Sequence, residues 1–268
     1  MEHWTSYSLE ADIVRYWRVG SLDFWMRRTD EEWLYVWRHR VADAADLPDL
    51  DSDLSPGPEM PAEAEWHRAV TRSSSLTVKF SPLMPDRTVI ANPRNPLKLL
   101  PGTTVYFYAI IPVFLGVSVL GAHGEERVCE IPTRTLTNTW LGDMFAGKLC
   151  YTLPSDLYHY PDKAQQGPTD AICPVRLRNT ADDPFVVEKI GIFADMMNLY
   201  RRTDVPVAGL WTGESRTDFT RDKELSISVS ETRPTPRADR VLLTKARKAN
   251  FDSIWKKGIS LLEKISNY

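Results

Sequence analysis

The chain is short of the residues from which most catalytic sites are recognised. It has three cysteines, Cys129, Cys150 and Cys173, and no C-x-x-C pair. An odd, widely spaced set inside apolar segments reads as reduced core thiols of a cytoplasmic protein, with one bridge between two of them as the alternative. The five histidines (His3, His39, His67, His123, His159) form neither H-x-H nor H-E-x-x-H, so spacing supports no metal site. There is no G-x-x-x-x-G-K-[ST] loop and no G-x-S-x-G elbow, and no strand–helix–strand alternation of a dinucleotide-binding fold. The net charge is −3 and the pI about 6.0, which argues against a nucleic-acid binder that relies on bulk charge. The first residues carry neither a basic nor an apolar leader segment, so no secretory signal is expected. No catalytic residue, cofactor or metal ligand is therefore named.

Charge is also missing from one long stretch. Residues 99–124 contain no Asp, Glu, Lys or Arg in a chain that is 26% charged. That length would span a bilayer as a helix. The run opens on Pro101-Gly102, however, and Pro112 divides it, while Val105, Tyr106, Phe107, Tyr108, Ile110 and Ile111 are strand formers. A proline inside a helix costs roughly 3 kcal/mol, whereas at a strand end it is tolerated. The reading is two strands, 103–111 and 113–120, buried on both faces at the centre of a sheet.

What is abundant is tryptophan, nine residues, five of them (Trp4, Trp17, Trp25, Trp33, Trp37) near the N-terminus. They suit core filling, with a stacking platform for sugars or bases as the sharper alternative. Residues 21–28 and 33–40 read as a hairpin joined by T-D-E-E, with Trp33, Tyr35 and Trp37 on one face. Residues 1–40 are thus a hairpin region joined to the main body. Residues 41–65 hold eight acids (Asp43, Asp46, Asp49, Asp51, Asp53, Glu59, Glu63, Glu65), four prolines and no Lys or Arg, the composition of a mobile linker. From 66 to 246 come short strands (76–80, 87–91, 127–131, 147–153, 171–178, 185–193, 223–230 and 240–244 beside the two above) separated by turn residues. The expected fold is mainly β, an antiparallel sandwich, one large or two small. Residues 247–268 close the chain as an amphipathic helix, because Phe251, Ile254, Trp255, Ile259, Leu262 and Ile265 recur at three- and four-residue intervals. From 232 to 268 there are nine basic residues and three acids, a balance of +6.

Two places could bind something. W-L-G-D at 140–143 and W-T-G-E at 211–214 both present a Trp and an acid on a Gly turn, so Trp140, Asp143, Trp211 and Glu214 are candidate ligand contacts; their alternative is to cap the ends of the core. Arg176, in V-R-L-R-N, is a further polar candidate. The basic C-terminal helix, with Trp255, Lys256 and Lys257, suits a protein partner or an anionic membrane surface.

The segments P-L-M-P-D-R (82–87), P-L-K-L-L-P-G (96–102), T-W-L-G-D (139–143), G-K-L-C-Y (147–151), C-P-V-R-L-R-N (173–179), P-F-V-V-E-K (184–189) and G-L-W-T-G-E (209–214) together resemble the prokaryotic domain-of-unknown-function family 432. The resemblance covers roughly 82–214, with 41–65 an addition to the pattern. It implies no activity and no assigned site residues. It does imply a soluble accessory subunit found beside mechanosensitive-type channels. The resulting expectation is a non-catalytic accessory protein that meets a protein partner through the C-terminal helix and the Trp turns, with no nucleic acid involved. A carbohydrate- or small-ligand-binding module is the second reading, and an enzyme with a dispersed site the third.

Overall fold

A computed structural model describes residues 4–40, 59–60, 64–122, 124–141, 147–153, 157–163, 167–202, 209–220, 224–231, 240–248 and 255–258. The protein is mainly β. The helical segments described are two 3-10 turns, Pro161–Lys163 and Ala194–Met196. No helix among the described residues is long and apolar enough to cross a membrane.

The chain forms two compact units, each assembled from separated segments. The first comprises Met1–Leu83, Pro112–Thr135 and Gly167–Thr169. One of its sheets has the order β1 (Ser6–Ser8), β6 (Thr77–Leu83), β10 (Phe114–Gly121), β11 (Gly124–Pro132). The other is a meander of β2 (Arg15–Val19), β3 (Leu22–Arg28), β4 (Trp33–His39) and β5 (His67–Ala69). All pairings in both are antiparallel. The expected hairpin is β3–β4, and its T-D-E-E turn closes through the Thr29 N–H donating to the Glu32 carbonyl at 3.0 Å.

The two sheets share one core. The meander contributes Trp17, Val19, Leu22, Phe24, Met26 and Trp33, and the other sheet contributes Val78, Phe80, Leu115, Val117, Val119 and Ile131. Alternation explains the choice, since Leu22, Phe24 and Met26 lie on one face of β3 and the residues between them on the other. Phe80 anchors an aromatic nest, with ring centroids 4.9 Å from Tyr7, 5.1 Å from Trp17 and 5.9 Å from Phe24. Each such pair adds about 0.5–1.5 kcal/mol beyond its buried area. The early tryptophans Trp17 and Trp33 are thus core residues.

The second unit comprises Met84–Ile111, Leu136–Gln166 and Asp170–Tyr268. Its largest sheet has the order β21 (Arg240–Thr244), β17 (Leu199–Arg202), β18 (Gly209–Thr212), β14 (Asp170–Asn179), β19 (Glu214–Phe219), β20 (Glu224–Ser230), β22 (Trp255–Gly258), with β9 (Thr104–Pro112) also on β14. A four-stranded sheet orders β12 (Thr137–Leu141), β13 (Lys148–Thr152), β7 (Val89–Ala91) and β16 (Ile190–Ile192), and β8 (Leu97–Leu99) pairs with β15 (Phe185–Val187). Lys248 Nζ donates to Asp195 Oδ2 at 2.5 Å and Arg247 Nε to the Met84 carbonyl at 2.7 Å, which pins the segment after β21.

Four expectations change. The sheets are not purely antiparallel, because β7–β13, β14–β18 and β14–β19 are parallel. The chain between β14 and β18 is long enough for the crossover that a parallel pair requires. The two strands of the charge-free run are not a central pair. β9 joins β14, β10 joins β6 and β11, and Pro112 is where the chain leaves one unit for the other. Nor is the whole run buried on both faces, since Tyr106 is exposed. Finally, residues 255–258, expected within a helix, pair antiparallel with β20 in the register Ile227↔Trp255 to Glu224↔Gly258. The edge of β20 offers a full ladder of hydrogen bonds there, and Gly258 lowers helix propensity by about 1 kcal/mol relative to Ala. The rest of the stretch expected as helix beyond Lys248, like most of 41–65, lies outside the described residues.

Candidate functional site: an arginine and tryptophan face

The W-T-G-E segment is a β-bulge. β18 and β19 run parallel to β14 in the registers Ile172↔Trp211 and Val175↔Ser215, so Thr212, Gly213 and Glu214 face only Cys173 and Pro174. Pro174 has no N–H to give to a ladder, and an extra residue in the neighbouring strand absorbs the break. Gly213 is required, since a Cβ there would lie 2.9 Å from both Glu231 Oε1 and the Ser230 carbonyl. Trp211 is 5% exposed, packed with Ile110, Ile172, Tyr108 and Tyr158, and the Arg202 guanidinium sits 4.8 Å over its ring. Glu214 is buried and accepts a 2.6 Å bond from Arg216 Nε.

The other sequence candidates are dispersed. Trp140, 49% exposed, stands on β12 in a different sheet from Trp211, and Asp143 lies outside the described residues. Arg176 Nη2 donates to both Asp218 oxygens at 2.9 Å, tying β14 to β19. Trp255, Lys256 and Lys257 are on β22. Among the described residues no group of three or more His, Cys, Asp or Glu could hold a metal ion. The three thiols are buried and free, and burial pushes each upward, Cys173 to about 12.

A denser arrangement lies on the outer face of the meander in the first unit. Because Leu22, Phe24 and Met26 point to the core, Asp23, Trp25 and Arg27 occupy the opposite face. The register sets side chains in rows across the strands. Arg18, Asp23 and Arg38 form the first, Tyr16, Trp25 and Val36 the second, and Arg27, Leu34 and Arg68 the third. Ala64 and Trp66 pack against the second row. Two arginines sit over indoles, with the Arg38 guanidinium carbon 5.4 Å from the Trp25 ring centroid and that of Arg27 5.3 Å from the Trp66 centroid.

Asp23 holds the first row together. It is fully buried and accepts bonds from the Tyr16 hydroxyl (2.7 Å) and Arg38 Nη2 (2.8 Å), with Arg40 Nε 3.1 Å from Oδ1. Burial, and then the bond to Asp23, raises the Tyr16 phenol above its usual range. At the far end Arg68 clasps Glu32 with Nε at 2.7 Å and Nη2 at 2.8 Å, and that clasp draws the Glu32 carboxyl below its ordinary value. Arg18, Arg27, Arg38, Arg40 and Arg68 supply five positive charges and Asp23 and Glu32 two negative ones, a balance of +3 (5 − 2). A guanidinium over an aromatic ring is attracted to it, and its planar, weakly hydrated fork matches carboxylate and phosphate geometry.

In the sequence Trp25 stands out only as one of many tryptophans, and these arginines do not stand out at all. Their rows exist only across strands, and the one visible signal is Arg at 15, 18, 27, 28, 38 and 40 in a segment otherwise rich in strand formers.

The family model described as "Protein of unknown function (DUF432)" matches residues 3–263, well beyond the 82–214 over which the motifs were visible. No curated protein and no solved structure matches the chain.

Proposed function

The chain belongs to the DUF432 family, and we propose that it is a non-catalytic interaction protein whose working surface is the outer face of the β2–β5 sheet. In this reading the first unit is a β-sandwich, with one face of the meander in the core and the exposed arginines of the other, Arg38 and Arg68 about its buried Tyr16–Trp25–Val36 row, turned to a partner. The observation that carries it is the pair of arginine rows flanking an aromatic row, with a balance of +3 in a chain of net charge −3. Arg and Trp are the residues most enriched at the energetic centres of interfaces. The protonated, buried thiols favour binding over nucleophilic chemistry. This reading moves the partner surface to the meander, away from the C-terminal stretch.

The test is proximity labelling in the source cell with the wild-type chain and with Arg27→Gln/Arg68→Gln. Neither substitution touches the Asp23 cluster. Loss of specific neighbours from the variant, at unchanged thermal midpoint, is the expected result. Identical neighbour sets overturn the reading.

A further inference from the structure

We infer that the open edge of β12 is a self-association site, where the strand pairs antiparallel with β12 of a second copy of this chain about a two-fold axis. β12 (Thr137–Leu141) ends its sheet and has β13 on one side only. Alternate residues of such a strand turn both backbone groups outward. Among the described residues nothing bonds to those groups. An open edge is normally guarded by charge, proline or a bulge. The other sheet-ending strands longer than three residues carry charges. These are Arg15 and Arg18 on β2, Glu125, Glu126, Arg127 and Glu130 on β11, Arg240 on β21, and Lys256 and Lys257 on β22. β9, also uncharged, is bridged at Tyr108 by Tyr158, each N–H donating to the other's carbonyl. β12 has no such guard. Residues 135–142 include no charged residue and no proline, and the register with β13 runs without a bulge.

A second copy is the occupant that the strand's own pattern fits. Leu141 and Cys150 pack in one core cluster, so Thr137, Thr139 and Leu141 lie on the core side of β12. Asn138 and Trp140 lie on the other side and are exposed. A two-fold pairing sets each residue against another of the same strand, so charges of one sign would repel, and β12 has none. Centred on Thr139, the pairing uses all five residues. Thr137 lies opposite Leu141 of the second copy, and Asn138 opposite its Trp140. The two Trp140 residues are then diagonal neighbours, about 7–8 Å apart and within reach of aromatic contact. Each exposed indole thereby leaves water against its symmetry mate. A five-residue strand is about 17 Å long. So short an edge covers less than the roughly 1,200 Å² of a standard interface, so the dimer is weak and forms only at raised concentration. The inference is independent of the meander surface, since β12 belongs to the second unit.

Sedimentation equilibrium of the full chain, from about 5 to 500 µM, tests this. Two double variants, Asn138→Lys/Trp140→Lys and Asn138→Glu/Trp140→Glu, change exposed residues and set like charges opposite each other in the pair. The expected wild-type mass rises with concentration from one chain toward two. Each variant alone associates at least about tenfold more weakly. An equimolar mixture of the two associates again, because lysines then face glutamates. In the wild type, amide exchange along β12 slows as concentration rises, a readout that needs no substitution. A wild-type chain that stays monomeric throughout leaves the edge to a different protein's strand and overturns the inference. So does association that persists in both variants alone, a mixture that stays monomeric, or exchange along β12 that does not respond to concentration.

Discussion

Asp23 is a single acid against two arginine side chains, Arg38 and Arg40, and its removal leaves them facing one another with no counter-charge. Breaking such a buried pair costs about 3–5 kcal/mol. Arg38 is 41% exposed and can turn to water, so the expected loss for Asp23→Asn is about 3 kcal/mol, at the lower end of that range. Urea unfolding measures it. The thiols give a second expectation. Burial raises Cys129, Cys150 and Cys173 above the ordinary thiol value of 9.0, so each stays protonated and shielded at pH 8.5. Iodoacetamide at that pH should label none of the three in the native protein and all three in denaturant, read by mass spectrometry. Reading these thiols as core residues needed only the apolar neighbours in sequence. The Arg18–Asp23–Arg38 row was not legible, because it joins residues 5 and 15 positions apart that only strand register aligns.

Among elements, legibility tracked local pattern. Thr77–Leu83, Val89–Ala91, Thr104–Pro112, Phe114–Gly121 and Lys148–Thr152 lie where apolar runs bounded by turn residues put strands. The expected strand 185–193 is instead two, β15 and β16, broken at Glu188 and Lys189. β17, β18 and β19 were not legible. Their short runs, among them L-Y-R-R and E-S-R-T-D-F, owe their conformation to the strands beside them, β18 and β21 for the first and β14 and β20 for the second, more than to their own residues. At the C-terminus the apolar spacing matched a helix, but the open edge of β20 takes Trp255–Gly258 as a strand. Ending the chain after Lys248 should therefore strip that strand from the edge of β20. It should also lower hydrogen-exchange protection selectively along β20, which loses one of its two neighbours. Unchanged protection along β20 would contradict the pairing.

At the scale of the molecule, the chain passes from one unit to the other five times, after Leu83, Ile111, Thr135, Gln166 and Thr169. No composition shift marks these points apart from Pro112, so a segmental division at 41–65 was the visible one. The consequence can be checked with a fragment. Residues 1–83 contain the whole meander, but β6 within them lacks β10, and the core lacks Leu115, Val117, Val119, Val128, Cys129 and Ile131. That fragment is expected to be unfolded or aggregated, with flat tryptophan emission in a urea titration, whereas the full chain shows a cooperative transition.

The proline at 112 also sets a schedule. Trp17, Phe24 and Trp33 are synthesised early, and beyond Val78 and Phe80 the side chains of the facing sheet that complete their enclosure begin only at Leu115. Made at about 5–20 residues per second, the chain carries this aromatic surface uncovered for several seconds before β10 and β11 leave the ribosome. The acidic stretch at 41–65 is made in that same interval and adds eight negative charges next to the exposed rings. Like charge on neighbouring nascent chains discourages them from associating. For this protein, the order in which segments are made is as much a property of the fold as the sheets they end in.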